Sequence, residues 1–234
     1  MKRLLVALMP LLIASAWAED GLKNESELGY VLTSGNTKVS TLTVKEKSAY
    51  TLGLNTIAFT GSYLTSKNQG VTSAKNWNLG LRLERALSER FSIFIGQAVL
   101  GDRFQQIKQR YNSDLGGKYF IMKEDTLNWF AELGYRFTKE NATVMSRNFH
   151  YIRAYTEIEK KWNESVSTKY WIEYLPNFTE SEDYLINTEL SLNAMLNSVF
   201  SVKTGYLVRF DGQPAAGVPE KTDTVFTTAL VAKF

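Results

Sequence analysis

The chain has no cysteine, one histidine and four prolines among its 234 residues. Without cysteine there are no disulfides, no thiolate nucleophile and no thiolate metal site. After the first 18 residues no apolar run is long enough to cross a bilayer as a helix, and mean hydropathy is below zero. No segment carries a sustained helical period either. Charge of neither sign dominates: 27 Lys and Arg stand against 24 Asp and Glu. A near-neutral chain lacks the basic footprint of a nucleic-acid binder, so that partner class is excluded.

The chain does have a distinctive start. MKRLLVALMPLLIASAWAED places Lys2 and Arg3 before an apolar run from Leu4 to Ala14, followed by Ala16-Trp17-Ala18. A basic end, a short apolar run and a small-x-small site make a signal peptide. Residues 1–18 are therefore expected to be removed after export, leaving residues 19–234 as a single domain.

The body alternates. Leu127, Trp129, Ala131, Leu133, Tyr135 and Phe137 fall on one face, Asn128, Glu132 and Arg136 on the other. The same period of two runs through Trp77 to Glu84, Val166 to Tyr174, Tyr184 to Asn193, Phe200 to Phe210 and Val225 to Phe234. Weaker runs cover Asn24 to Tyr30, Ser40 to Tyr50, Thr56 to Tyr63, Phe91 to Asp102, Asn112 to Phe120 and Tyr151 to Trp162. These make about twelve strands, an even number, with short connectors after even strands and mostly longer, more polar ones after odd strands, as in a transmembrane outer-membrane barrel. The expected fold is all-β: a closed antiparallel barrel with short periplasmic turns and longer extracellular loops. Ser66 to Lys75, Thr138 to Asn148 and Asp211 to Asp223 read as loops.

Outward aromatics form two groups, Tyr30, Tyr63, Trp77, Tyr135 and Tyr174 toward the long loops and Tyr50, Phe91, Tyr119, Trp129 and Phe200 toward the short turns. Two membrane interfaces select such girdles. The chain ends inside the pattern, with Phe226, Leu230, Ala232 and Phe234 on one face. A terminal strand of that kind closes the barrel on the first strand and removes the sheet edges. It also resembles the signal read by the outer-membrane barrel-insertion machinery, which with outer-membrane lipid is the expected partner. Two charges break the outward face, Glu46 and Lys160. Lys160 lies near a turn and can snorkel, whereas Glu46 calls for a bulge or a position near the interface.

Glu27-Leu28-Gly29-Tyr30 followed by Thr33-Ser34-Gly35-Asn36-Thr37, then Asp102-Arg103-Phe104, then Val218 to Thr224, together resemble the YdiY-like family, also called domain of unknown function 481 and described as salt-induced outer-membrane proteins. The resemblance covers the whole mature chain and implies the same barrel and an outer-membrane location. It implies no activity.

Function must come from the inward face. Alternation places Lys23, Glu25, Glu27, Lys45, Lys47, Arg82 and Glu84 there, then Asp102, Lys118, Glu132, Arg136, Arg153, Glu157, Glu159 and Lys161, and finally Lys169, Glu173, Glu189, Lys203 and Arg209. Eight-stranded barrels are filled and sixteen-stranded ones conduct, so two readings stand. One is a narrow, weakly selective diffusion channel for ions or small solutes; the other is a non-conducting envelope protein whose lumen is filled by paired charges. An enzyme is not expected: His150 is the one histidine and has no serine at the His-x-Ser spacing of barrel lipases. No cofactor is expected, and Glu180, Glu182 and Asp183 match no calcium motif.

Overall fold

The computed structural model describes residues 21–33, 38–142, 146–180, 182–214, 218 and 220–233. The expected signal peptide, most of the first loop and Phe234 lie outside the described residues. Twelve strands follow one another: β1 (Leu22–Thr33), β2 (Val39–Leu52), β3 (Asn55–Asn68), β4 (Val71–Ala86), β5 (Phe91–Asp102) and β6 (Ile107–Lys123), then β7 (Leu127–Ala142), β8 (Ser146–Lys161), β9 (Val166–Pro176), β10 (Tyr184–Met195), β11 (Phe200–Asp211) and β12 (Thr222–Lys233). Each pairs antiparallel with its sequence neighbours, and β12 returns to β1 through Glu25 opposite Lys233 and Leu28 opposite Leu230. The sheet is closed, which removes free edge strands; its shortest ladder is the β1–β12 seam, paired over the four positions Glu25 to Leu28.

The faces separate as a barrel in lipid requires. Along β4, Leu79, Leu81 and Leu83 are exposed, and along β5 Phe91, Ile93 and Ile95 are too, while Ser92, Phe94 and Asp102 are buried. The apolar band is thus on the outside and the polar set inside. This arrangement excludes a water-soluble barrel with an apolar interior.

Two expected loops are strand instead. β3 and β4 run on past the apolar band to a two-residue turn at Gln69 and Gly70, whose φ values are 49° and 83°. Positive φ at both central positions suits the twist of a hairpin. β7 and β8 likewise extend to Ala142 and from Ser146. These outer extensions are polar on both faces, so period two leaves no apolar signature there.

Glu46 needs no bulge. The register of β2 with both neighbours is unbroken across it. Its carboxylate stays on the outer face and accepts hydrogen bonds from Asn24 Nδ2 at 2.6 Å, Ser26 Oγ at 2.5 Å and Ser48 Oγ at 2.7 Å. Three neutral donors from the same face stand in for water.

Candidate functional site

The inner wall is built around Phe94. The facing pair Gly116 on β6 and Gly134 on β7 leaves a hollow that its ring fills: a Cβ on Gly116 would lie 2.7 Å from Phe94 Cζ. The Arg82 guanidinium stacks on that ring, 3.7 Å from its centroid, close enough for a cation–π contact. From there charges alternate across the bore. Arg82 grips Glu132 through two nitrogens at 3.1 and 2.8 Å and reaches Glu84 at 2.8 Å. Arg153 joins Glu132 at 2.5 Å to Glu173 at 2.6 Å. Arg136 joins Glu173 at 3.2 Å to both oxygens of Asp114 at 2.7 and 2.8 Å. Lys118 and Ser92 complete Glu84 at 3.4 and 2.7 Å. One connected network therefore covers β4 to β9, with every acid held by at least one base. Bidentate arginine geometry offsets the desolvation of groups this deep.

A second network closes the opposite wall. Glu27 on β1 meets Lys203 at 2.6 Å and Lys45 at 3.6 Å, and Glu189 on β10 meets the same two lysines at 3.5 and 4.0 Å. A third, nearer the short turns, joins Lys169 to Glu157 and Glu159 at 3.5 and 3.7 Å. Lys47 is different. It stands opposite Glu25 and Thr60 in register, is exposed inside the bore, and makes no ion pair among the described residues; Glu25 is taken by Lys233 at 2.9 Å. Arg209 also has no carboxylate partner among the described residues, and Asp102 turns its Oδ1 to the N–H groups of Phe104 and Gln105 at 2.9 and 3.1 Å.

Space remains at the long-loop end. A cavity of about 490 Å³ opens there and descends along short side chains, Thr60, Ser62, Asn76, Asn78 and Ala98, to a floor of Lys45, Glu189, Glu173 and Arg136. The β5–β6 turn leans over it. The Asp102 cap tightens that turn, and Gln105 Nε2 donates to Asp223 Oδ2 at 2.6 Å, on the far side of the ring from β5 and β6. A separate cavity of about 540 Å³ lies at the short-turn end around Trp162, Asn163 and Asn197, and shares no lining residue with the first.

Some features were not legible in the sequence. Phe94, Phe130, Tyr151, Tyr155, Trp171 and Leu175 face inward. Their one signal was apolar character in the polar phase of the alternation. Asp114, Arg110 and Glu140 also join the inner pairs, Arg110 Nε donating to Glu140 at 2.7 Å. His150 faces outward and shares a hydrogen bond with the Tyr135 hydroxyl. No group of three or more His, Asp or Glu that could hold a metal occurs among the described residues.

Comparison with known proteins agrees with this architecture. An outer membrane channel from Pseudomonas putida F1 superimposes with a TM-score of 0.56 at 11% identity, covering 94% of this chain and 97% of that one. The NanC porin gives 0.53 at 9% identity over 90% and 97%. The translocator domain of the autotransporter NalP from Neisseria meningitidis gives 0.51 at 9% over 97% and 93%. At such identities the likeness is one of fold. Uncharacterized protein YdiY of Escherichia coli (strain K12) is 23% identical over 225 residues, 92% of this chain and 84% of that protein. The family model described as "Protein of unknown function, DUF481" matches residues 26–234, and the chain therefore belongs to the DUF481 family.

Proposed function

We propose that this protein sits in the bacterial outer membrane and provides a narrow, weakly selective diffusion path for ions or small solutes. The observation that carries this reading is the uneven inner wall. Charge networks fill β4 to β9 and the β1, β2, β10 and β11 sector, while the cavity at the long-loop end follows the short side chains of β3, β4 and β5 down to Thr60. Thr60 lies opposite Lys47, which makes no ion pair among the described residues. The path runs off the barrel axis past Lys47, with long loops outside and short turns in the periplasm. Compensated networks impose no strong field, and Lys47 and Arg209, without carboxylate partners among the described residues, add a slight preference for anions. No reaction is assigned to it. Outer-membrane lipid contacts the apolar band. Phe226, Leu230 and Ala232, on the outward phase of β12, together with the terminal Phe234 form the signal for the insertion machinery.

Planar-bilayer recording of the refolded protein tests the path. Discrete steps are expected, with a reversal potential in a salt gradient that changes when Arg82, Glu132 and Arg136 are neutralised together. A second reading has its own support: the two end cavities share no lining residue. A stably inserted barrel without steps would establish that reading, a non-conducting envelope protein with a charge-filled lumen.

A further inference from the structure

Deep in the bore, buried carboxylates are matched by bases: Glu132, Glu140, Glu173 and Glu189 each meet a Lys or Arg. One corner of the cavity at the long-loop end departs from that rule in both senses. Asp183, only 5% exposed, receives Asn177 Nδ2 at 2.8 Å and the Tyr151 hydroxyl at 3.4 Å on Oδ2, but its Oδ1 has no donor. Two positions along the same inward phase, Leu185 pairs with Asp211, which gives one oxygen to the N–H of Gln213 at 2.9 Å. Arg209 precedes Asp211 by one inward position on β11 and has no carboxylate partner among the described residues. All three line the cavity, beside the apolar cluster of Phe149, Tyr151, Leu175 and Leu185.

An apolar wall and a few convergent polar groups at the edge of a larger cavity describe a small-molecule site. The charges narrow its occupant. A bare cation would leave Arg209 unmatched and be repelled by it. A bare anion would leave Asp183 unmatched. A divalent metal lacks its third ligating side chain among the described residues.

We propose that this corner binds a small zwitterion, with its protonated amine against Asp183 and Asp211 and its carboxylate against Arg209. The inference rests on the path reading, since it makes such molecules the solutes that pause at the mouth. So few atoms set an affinity on the order of 1 mM.

The test is ligand-observed saturation-transfer NMR on the folded barrel in detergent, with glycine and 4-aminobutyrate as probes and ammonium chloride, sodium acetate and calcium chloride as competitors. Glycine or 4-aminobutyrate is expected to bind, and each simple salt to compete at least tenfold more weakly. Asp183→Asn and Arg209→Gln are each expected to weaken binding about tenfold, a loss typical of a charge-assisted contact, while Lys47→Gln leaves it unchanged. Asp211→Asn serves as a further variant, and heat-modifiable gel migration verifies that each one folds. Absence of saturation, equal displacement by ammonium or calcium, or binding indifferent to all three variants would overturn the proposal. Because no current is read, binding by a barrel that does not conduct removes the path and keeps the site; steps without binding do the reverse.

Discussion

Glu132 and Glu46 are both carboxylates withdrawn from bulk water, one inside the barrel and one outside, and the protein treats them differently. Glu132 is clamped by Arg82 and Arg153 in a network that crosses the bore. Glu46, on the lipid side, is surrounded by an amide and two hydroxyls and no base. Inside, long arginines span the gap between strands and one charge answers another. Outside, a long cation would have to lie in hydrocarbon, and short neutral donors on adjacent strands do the work at lower cost. Charge is the filling of the lumen, and neutral hydrogen bonding is the repair of its outer face.

The two treatments make different predictions under mutation. Glu132→Ala removes the acid that Arg82 and Arg153 share over Phe94, leaving each with its second acid, Glu84 or Glu173, and is expected to cost up to about 3–5 kcal/mol, read by urea unfolding in bilayers. Gly116→Val drives a branched side chain into the Phe94 ring and the Leu133 carbonyl. An overpacking loss of about 1–3 kcal/mol is expected in the same assay. Glu46→Ala takes the shared acceptor from Asn24, Ser26 and Ser48, leaving Asn24 and Ser26 only their bonds within the cluster and Ser48 without an acceptor, and is expected to cost about 1–3 kcal/mol, while replacing Glu46, Asn24, Ser26 and Ser48 together by apolar residues of similar size restores most of that loss. Restoration outside, with no equivalent rescue of the lumen by single apolar replacements, would sharpen the contrast; equal behaviour would erase it. The smallest effect belongs to the turn over the mouth. Gln105→Ala removes one exposed hydrogen bond and is expected to cost about 1 kcal/mol or less. A Gln105→Cys/Asp223→Cys pair, free of interference in a chain without native cysteine, is expected to be joined by a short bis-methanethiosulfonate linker, which spans the gap that the Gln105 side chain fills and a direct disulfide does not, and to reduce any current until the linker is reduced.

The strands, their number and the inward phase of Arg82, Glu132, Arg153 and Glu173 could be read from alternation, because a lipid-facing residue must be apolar and its neighbours need not be. Where that constraint ends, so does the signal: Lys67, Thr72, Lys139 and Asn141 lie in strand extensions beyond the apolar band and read as loop. Pairing was hidden for another reason. Arg82 and Glu132 are 50 residues apart, and which acid each base meets depends on the stagger of the closed sheet. Lys45 and Lys47 share a strand, a face and a chemistry, yet only Lys45 finds acids within reach. Nothing in the local sequence separates them. Phe94 is the opposite case, an apolar residue in the polar phase whose meaning appears only once Gly116 and Gly134 are seen to make room for it.

The central claim is a path along the short side chains of β3 and β4 past Lys47, and reversal of that one charge tests it most directly. Planar-bilayer recording of Lys47→Glu beside the parent protein in a salt gradient should show discrete steps in both, with the reversal potential shifted toward cation preference in the variant. An inserted, heat-modifiable barrel that shows no steps, or steps whose reversal potential ignores the substitution, would contradict it.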